Sequence, residues 1–211
     1  MASDEPVPSA RRTELLERAY RYALEHGLAE LSLRPLAAAI GSSPRVLLYL
    51  FGSKDGLVRA LLARARTEEI ALLDGLRDRA GQRPIGLETA ADQLWTWLAA
   101  PARRPLLTLW VEGYSRSLLG SDGPWAGFAA ASVDDWLTVL AATQAPGERA
   151  TAPGEQHRTL VLAILRGALL DLLATGDEQR TTAAVQAQLA ALRPTRSRKA
   201  SRPTTAESPR R

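Results

Sequence analysis

Residues 31–62 read LSLRPLAAAIGSSPRVLLYLFGSKDGLVRALL, and the punctuation of this stretch decides the fold. Ser32 stands where a helix N-cap would, ahead of Leu33, Arg34 and Pro35. Proline is tolerated there, because first-turn amides have no intrahelical partner. Leu36, Ala37 and Ile40 supply an apolar face, and Gly41 ends the helix after barely two turns. Ser42 and Ser43 follow, with Pro44 as the first helical residue behind a serine cap. That helix is predicted to run to about Phe51, where Gly52-Ser53 breaks it, and a longer one to run from Lys54 to about Arg79. Upstream, Leu15, Leu16, Ala19, Tyr20, Ala23 and Leu24 fall at three-to-four spacing, which predicts an amphipathic helix over 10–26 closed by Gly27.

Two short helices joined by a glycine-containing turn, with a third in front, make a helix-turn-helix. Its second helix has to be docked firmly enough to carry its N-terminal residues into a major groove. Leu36, Ile40, Leu47, Leu50 and Phe51 can dock the pair, together with Leu16, Tyr20 and Leu24. That leaves Ser42, Ser43, Pro44, Arg45, Val46 and Tyr49 to face outward.

Nothing along the chain reads as a strand; Ala, Leu, Arg and Glu dominate, all good helix formers. Further helices are predicted at about 85–99, 102–119, 124–143, 154–175 and 177–192, with breaks at Pro101, 120–123, 146–154 and Gly176. The expected fold is therefore all-α: a three-helix helix-turn-helix head followed by a larger helical ligand-binding and dimerisation domain. Its parts are a disordered leader at 1–9, the head at 10–53, the body at 54–193 and a disordered basic tail at 194–211. The tail holds no aliphatic or aromatic residue larger than alanine, so it has nothing to pack.

An apolar fraction of 45% is enough to fill a core without staples, and the absence of cysteine excludes disulfides, zinc–thiolate sites and cysteine nucleophiles. The opening MASDEPVPSARR has no apolar stretch, and no later run approaches the ~20 residues of a membrane span, so a cytoplasmic protein without a membrane partner is expected. The net charge of +4 is uneven: +3 over 1–66, −4 over 67–193 and +5 over 194–211. A polyanion would be met at the ends. His26 and His157 have no nucleophile or carboxylate at motif spacing, and neither metal-ligand clusters nor phosphate-cradling glycine loops occur. Neither an enzyme nor a cofactor is expected.

The string over 31–62 resembles the signature of the TetR-type regulators. The resemblance is carried by Gly41 in the turn, Ser43 before the recognition helix, the Leu47 and Phe51 pair, and Ser53-Lys54 opening the next helix with Leu57 behind. LRGALLDLLATGD, residues 165–177, adds to it. Where many members have aromatic or histidine residues between the core leucine and phenylalanine, this chain has Leu48, Tyr49 and Leu50, so the backbone-contact role passes to Tyr49 alone.

On this reading Arg45 is the candidate for bidentate contact with a guanine edge, and Arg34 for a base or phosphate. Pro44 and Val46 suit a thymine methyl; Ser32, Ser42, Ser43, Tyr49 and Lys54 suit phosphates. Capping alone would also account for Ser32 and Ser43. One such head has too few base contacts to find a single site, at ~1–3 kcal/mol per good bidentate pair, so a dimer on a palindromic double-stranded operator is expected.

Leu160, Ile164, Leu165, Ala168, Leu169, Leu172 and Leu173, followed by Val185, Leu189 and Leu192, give the helices near 154–175 and 177–192 long apolar faces, with Gly167 allowing close approach. They suit a homodimer interface, as the resemblance also implies, or packing within one subunit. The other body helices hold all five tryptophans. Trp95, Trp110, Tyr114 and Trp136 are the candidate aromatic wall of a pocket for an unidentified small-molecule inducer, with Glu112, Arg116 and Asp135 as its polar groups; plain core is the alternative for the aromatics. Repression relieved by the inducer is what the resemblance implies. The rival reading is a helical protein-interaction module whose helix-turn-helix no longer binds DNA. The tail is either a non-specific DNA arm or a solubilising end.

Overall fold

A computed structural model of the chain describes residues 9–82, 84–120 and 122–192. The leader before Ser9 and the basic tail lie outside the described residues. Among those described there is no strand, and no helix is long and apolar enough to cross a membrane.

The chain begins with α1 (Ala10–His26), capped by Ser9, whose hydroxyl accepts from Arg12 N–H at 3.2 Å. Then come α2 (Leu33–Ala39) and α3 (Pro44–Phe51). The turn between them needs a left-handed residue, which Gly41 supplies at φ 66°. Ser43 caps α3 through Val46 N–H at 3.3 Å, and Pro44 opens it. A long α4 (Lys54–Gln82) leads into the body.

The body comprises α5 (Leu87–Ala99), α6 (Arg104–Leu119), α7 (Phe128–Thr143), the single turn α8 (Pro146–Arg149), α9 (Ala152–Thr175) and α10 (Glu178–Leu192). Most boundaries fall within a few residues of those expected. The expected helix over 102–119 is split, its start at Pro101–Arg103 being a 3₁₀ turn. The expected helix from 124 starts only at Phe128, because residues 123–127 turn through two glycines of positive φ, the second of which caps α7. The segment expected as a plain break at 146–154 contains α8 and the first residues of α9, capped by Thr151 through Gly154 N–H at 3.1 Å.

Helices α1, α2 and α3 pack on one another and on the first turns of α4. Their shared core is Leu15, Ala19, Tyr20, Ala23, Leu28, Leu31, Leu36, Ala37, Ile40, Leu47 and Phe51, closed by Leu57 and Leu61. Leu16, Leu24 and Leu50 are half-buried at its edge. In the body, α5 packs on α9 and α10, while α7 bridges α4, α5, α6 and α9. Each buried leucine contributes ~1.5–3 kcal/mol relative to an exposed one.

One residue sets how closely three of these helices approach. A Cβ on Gly113 of α6 would stand 2.9 Å from Leu62 Cδ2 on α4 and 3.2 Å from the Phe128 ring on α7. Gly113→Ala is therefore expected to destabilise the protein by about 1–2 kcal/mol despite its better helix propensity. The thermal midpoint should drop by roughly 2–8 °C; an unchanged midpoint would show that α4 and α7 yield without strain.

Candidate nucleic-acid interface and apolar pocket

Successive residues of α3 turn by about 100°, so its faces follow from position. Leu47 and Phe51 point into the core, and the opposite side carries Arg45, Val46 and Tyr49 with Leu48 flanking. Tyr49 is 86% exposed, against 37% for Val46 and 41% for Leu48. Arg34, Arg45, Ser32, Ser43 and Lys54 are exposed; Ser42 and Pro44 are half-buried. Ser32, Arg34 and Lys54 border one shallow concavity beside the start of α2. Outward side chains of α3 and a concavity bordered by Arg34, Lys54 and Glu30 thus sit within one short stretch of chain.

The serines divide in their local duties. Ser43 is committed as the α3 cap, and Ser53 caps α4 through Gly56 N–H at 2.9 Å. Ser32 makes no capping bond, and Ser42 Oγ is buried with no hydrogen-bond partner among the described residues. A capping hydroxyl still has its proton to donate.

Two arginines of α1 hold this unit and were not singled out from sequence. Arg12 Nε donates to Leu50 O at 3.3 Å with its guanidinium 5.0 Å from the centre of the Phe51 ring, and Arg18 Nη1 donates to Ile40 O at 3.2 Å. Both bind carbonyls at helix C-termini, where acceptors lack intrahelical partners and the dipole favours a cation.

Among the described residues, polar contacts join the head to the body at two places. Leu28 N–H, just after α1, donates to Glu112 Oε2 on α6 at 2.8 Å. Gly27 (φ 77°) lets the chain turn there, and a Cβ on it would lie 3.2 Å from that same oxygen. Farther along α1, Tyr20 Oη donates to Glu68 of α4 at 3.1 Å, while Arg64 pairs with Glu17 at 2.6 Å and stacks on the Tyr20 ring. Burial foremost, and the Glu68 charge second, push the Tyr20 hydroxyl well above the usual phenol range, so it remains a donor. Glu68 also receives Arg103 Nη1 at 3.5 Å, and that guanidinium lies 5.0 Å from the Trp97 ring centre.

Trp97 is a wall of an apolar cavity inside the body. Its lining is Trp97 and Leu98 of α5, Leu107 and Trp110 of α6, Trp136 of α7, and Leu162, Leu165, Arg166 and Leu169 of α9. The volume is about 20 Å³, roughly what one water occupies, so an organic ligand has to open it. Trp110 Nε1 donates to the buried Ser132 hydroxyl at 3.0 Å.

Of the residues expected to line a pocket, Trp110 and Trp136 do so, and Tyr114 adjoins it by accepting from Arg166 Nη1 at 3.1 Å. The other three lie elsewhere. Trp95 is buried and donates to Thr182 of α10 at 2.9 Å. Glu112 is two residues beyond Trp110, a rotation of about 200° that turns it from the cavity to the head. Arg116 faces Trp125, its guanidinium 5.9 Å from the ring centre. Asp135, the further polar candidate, pairs with Arg66 at 2.6 Å. Arg166 was missed; its signal was a lone charge inside the apolar run Leu160–Leu170.

Glu112→Ala is expected to cost about 1–3 kcal/mol, because it strands Leu28 N–H at the joint of head and body. Urea unfolding reads this; no loss of stability would mean that water replaces the carboxylate at no cost.

Residues 15–61 match the family described as bacterial regulatory proteins, tetR family. No curated protein matches the sequence. Among solved structures, a Rhodococcus sp. protein assigned to the TetR-family transcriptional regulators aligns with a TM-score of 0.67 at 16% identity, over 87% of this chain and 99% of that one. The multidrug binding protein EbrR complexed with imidazole aligns with a TM-score of 0.62 at 24% identity, over 93% and 97%. EbrR complexed with proflavin aligns with a TM-score of 0.56 at 22% identity, over 85% and 99%. Residues 15–61 thus match the tetR family of bacterial regulatory proteins, and the chain as a whole shares the fold of solved structures assigned to TetR-family transcriptional regulators.

Proposed function

We propose that the protein is a homodimeric, ligand-responsive repressor that binds a palindromic operator and releases it when a small apolar or aromatic inducer enters the body. The observation that carries this reading is the outward face of α3. A docked, capped helix presents Arg45, Val46 and Tyr49 to solvent, flanked by the concavity of Ser32, Arg34 and Lys54. Residues 10–53 act as the DNA-binding head and 54–193 as the sensing and dimerising body. In the head, Arg45 reads a guanine edge and Arg34 assists. Val46 and Pro44 meet thymine methyls, and Ser32, Ser43, Tyr49 and Lys54 hold phosphates, whereas the buried Ser42 hydroxyl is turned away from them. Leu48, exposed on the same side, adds apolar contact. DNA as the partner implies work in the cytoplasm.

The dimer is supported by an uncovered stripe on α9. Leu160 is 46% and Leu170 52% exposed, and Ala163, Gly167 and Ala174 are exposed between and beyond them. Their spacing of three and four alternately is that of a helix–helix seam. A Cβ on Gly167 would meet nothing within 4 Å, which leaves room for a partner helix. Exposed Ala183, Ala184, Ala187 and Ala190 extend the surface onto α10.

Signal transfer follows from α6 and α4. Trp110 on α6 touches the cavity while Glu112 on its other side grips the head; Trp97, Arg103, Glu68 and Tyr20 make a second link. Opening the cavity displaces both links, and the inducer shifts DNA affinity by its differential affinity for the two head placements. EbrR complexed with proflavin is a solved example of this fold with an aromatic ligand.

Selection of bound fragments from random duplex DNA, followed by footprinting, tests the reading. A two-fold symmetric site with half-sites about one helical turn apart is expected. Enrichment of no sequence would favour the protein-interaction module instead.

A further inference from the structure

The outward side of α3 is mostly apolar. Seven large hydrophobic residues are exposed among the described residues, and three of them, Val46, Leu48 and Tyr49, stand on this helix of eight. Grouped apolar side chains left in water mark a surface that something covers. At ~100° per residue, Val46 and Leu48 lie ~160° apart, on opposite edges of the outward arc, with Arg45 and Tyr49 between them. Arg45 and Tyr49 carry the only hydrogen-bonding side chains of α3. The helix has no Asn or Gln to read adenine and no Asp or Glu to read cytosine. A groove on another protein would suit an apolar patch alone. Here a guanidinium stands within the patch, and Arg34 and Lys54 are exposed at the starts of the two neighbouring helices, which fits a polyanion.

The major groove offers such side chains one apolar feature, the C5 methyl of thymine. Resting on the reading of this face as DNA-binding, we propose that the protein recognises its operator chiefly through C5 methyl groups. Val46 and Leu48 each cover a methyl, one on either side of the guanine that Arg45 reads. Leu48 is thereby a specificity residue, although it offers the bases no hydrogen bond. A methyl on cytosine C5 takes the same place in the groove as the methyl of thymine. The protein is therefore also a sensor of cytosine methylation: 5-methylcytosine at these positions strengthens binding relative to unmodified cytosine.

The test titrates the full chain into its selected operator and into the same duplex with uracil at every thymine. Two further duplexes carry cytosine or 5-methylcytosine in place of the thymines beside the guanine. Uracil keeps every hydrogen-bonding group of thymine and lacks only the methyl. Each covered methyl is worth about fourfold in affinity, and a symmetric dimer covers each twice, so the uracil duplex should bind at least about tenfold more weakly. The 5-methylcytosine duplex should bind at least about fourfold tighter than its cytosine counterpart. In the double variant Val46→Ala, Leu48→Ala, the uracil penalty should shrink by at least about fourfold, Pro44 accounting for the rest. Both side chains are exposed, and a thermal melt checks the fold. The wild-type comparisons decide by themselves if the variant does not fold. Equal binding of the thymine and uracil duplexes, equal binding of cytosine and 5-methylcytosine, or an undiminished uracil penalty in the variant would overturn the proposal. Failure to select any operator would overturn the regulator reading and this inference with it. A tight operator indifferent to its methyls would overturn this inference alone.

Discussion

If the proposed dimer forms through α9, Gly167→Arg is expected to convert the protein to a monomer and to lower operator affinity by about 10²–10⁴-fold, because the second head no longer binds at the high effective concentration that linkage supplies. The substitution is unusually clean. Within one chain a Cβ at this position meets nothing within 4 Å, and arginine is a better helix former than glycine by roughly 0.8–1 kcal/mol, so α9 itself gains slightly. In a symmetric seam the same guanidinium would stand close to its mate, between Leu160 and Leu170, where two desolvated like charges face each other. Sedimentation equilibrium and an operator titration read the two effects together. A Gly167→Arg protein that is still dimeric with full affinity would place the interface elsewhere.

Arg45→Ala is expected to have the next largest effect, and of a different kind. A bidentate guanine contact carries ~1–3 kcal/mol of discrimination, and a symmetric dimer makes it twice, so operator affinity should fall by about 30-fold to 10⁴-fold. Binding to unrelated DNA should fall far less, and the preference should relax at one base pair in each half-site. Lys54→Ala gives the contrasting pattern: weaker binding to every sequence and a shallower salt dependence, by about one counterion per contact. Both side chains are exposed, so neither change should move the melting temperature by much. A uniform loss for Arg45→Ala, indifferent to sequence, would reassign Arg45 to the phosphates.

The head was legible because its signals are local. Ser43-Pro44, Gly41 and Gly52 punctuate α2 and α3 within a few residues of where they act, and the one outward arc of α3 follows from its period. What holds the head is non-local. Arg12 reaches Leu50, and Leu28 reaches Glu112 across 84 residues of chain, so no spacing rule exposes either. The cavity was half legible for a related reason. Trp95 and Trp97 are equal as sequence, but two residues apart on a helix they face opposite ways. Only the packing of α5 between α9, α10 and the 3₁₀ turn gives Trp97 to the cavity and Trp95 to Thr182. Glu112 was drawn to the pocket by its neighbours in sequence, whereas rotation along α6 turns it to the head. Arg166 went unnoticed because an apolar run reads as core even when a charge interrupts it.

On the proposed function, the face of α2 and α3 reads DNA, as a pair, for sequence. It is tested most directly by titrating the full chain, at about 0.15 M salt, into its selected operator and into a duplex of the same composition in permuted order. Binding to the operator is expected to be at least about 10³-fold tighter, with two chains on each duplex. Equal affinity for the two duplexes, or a single chain on the operator, would contradict it.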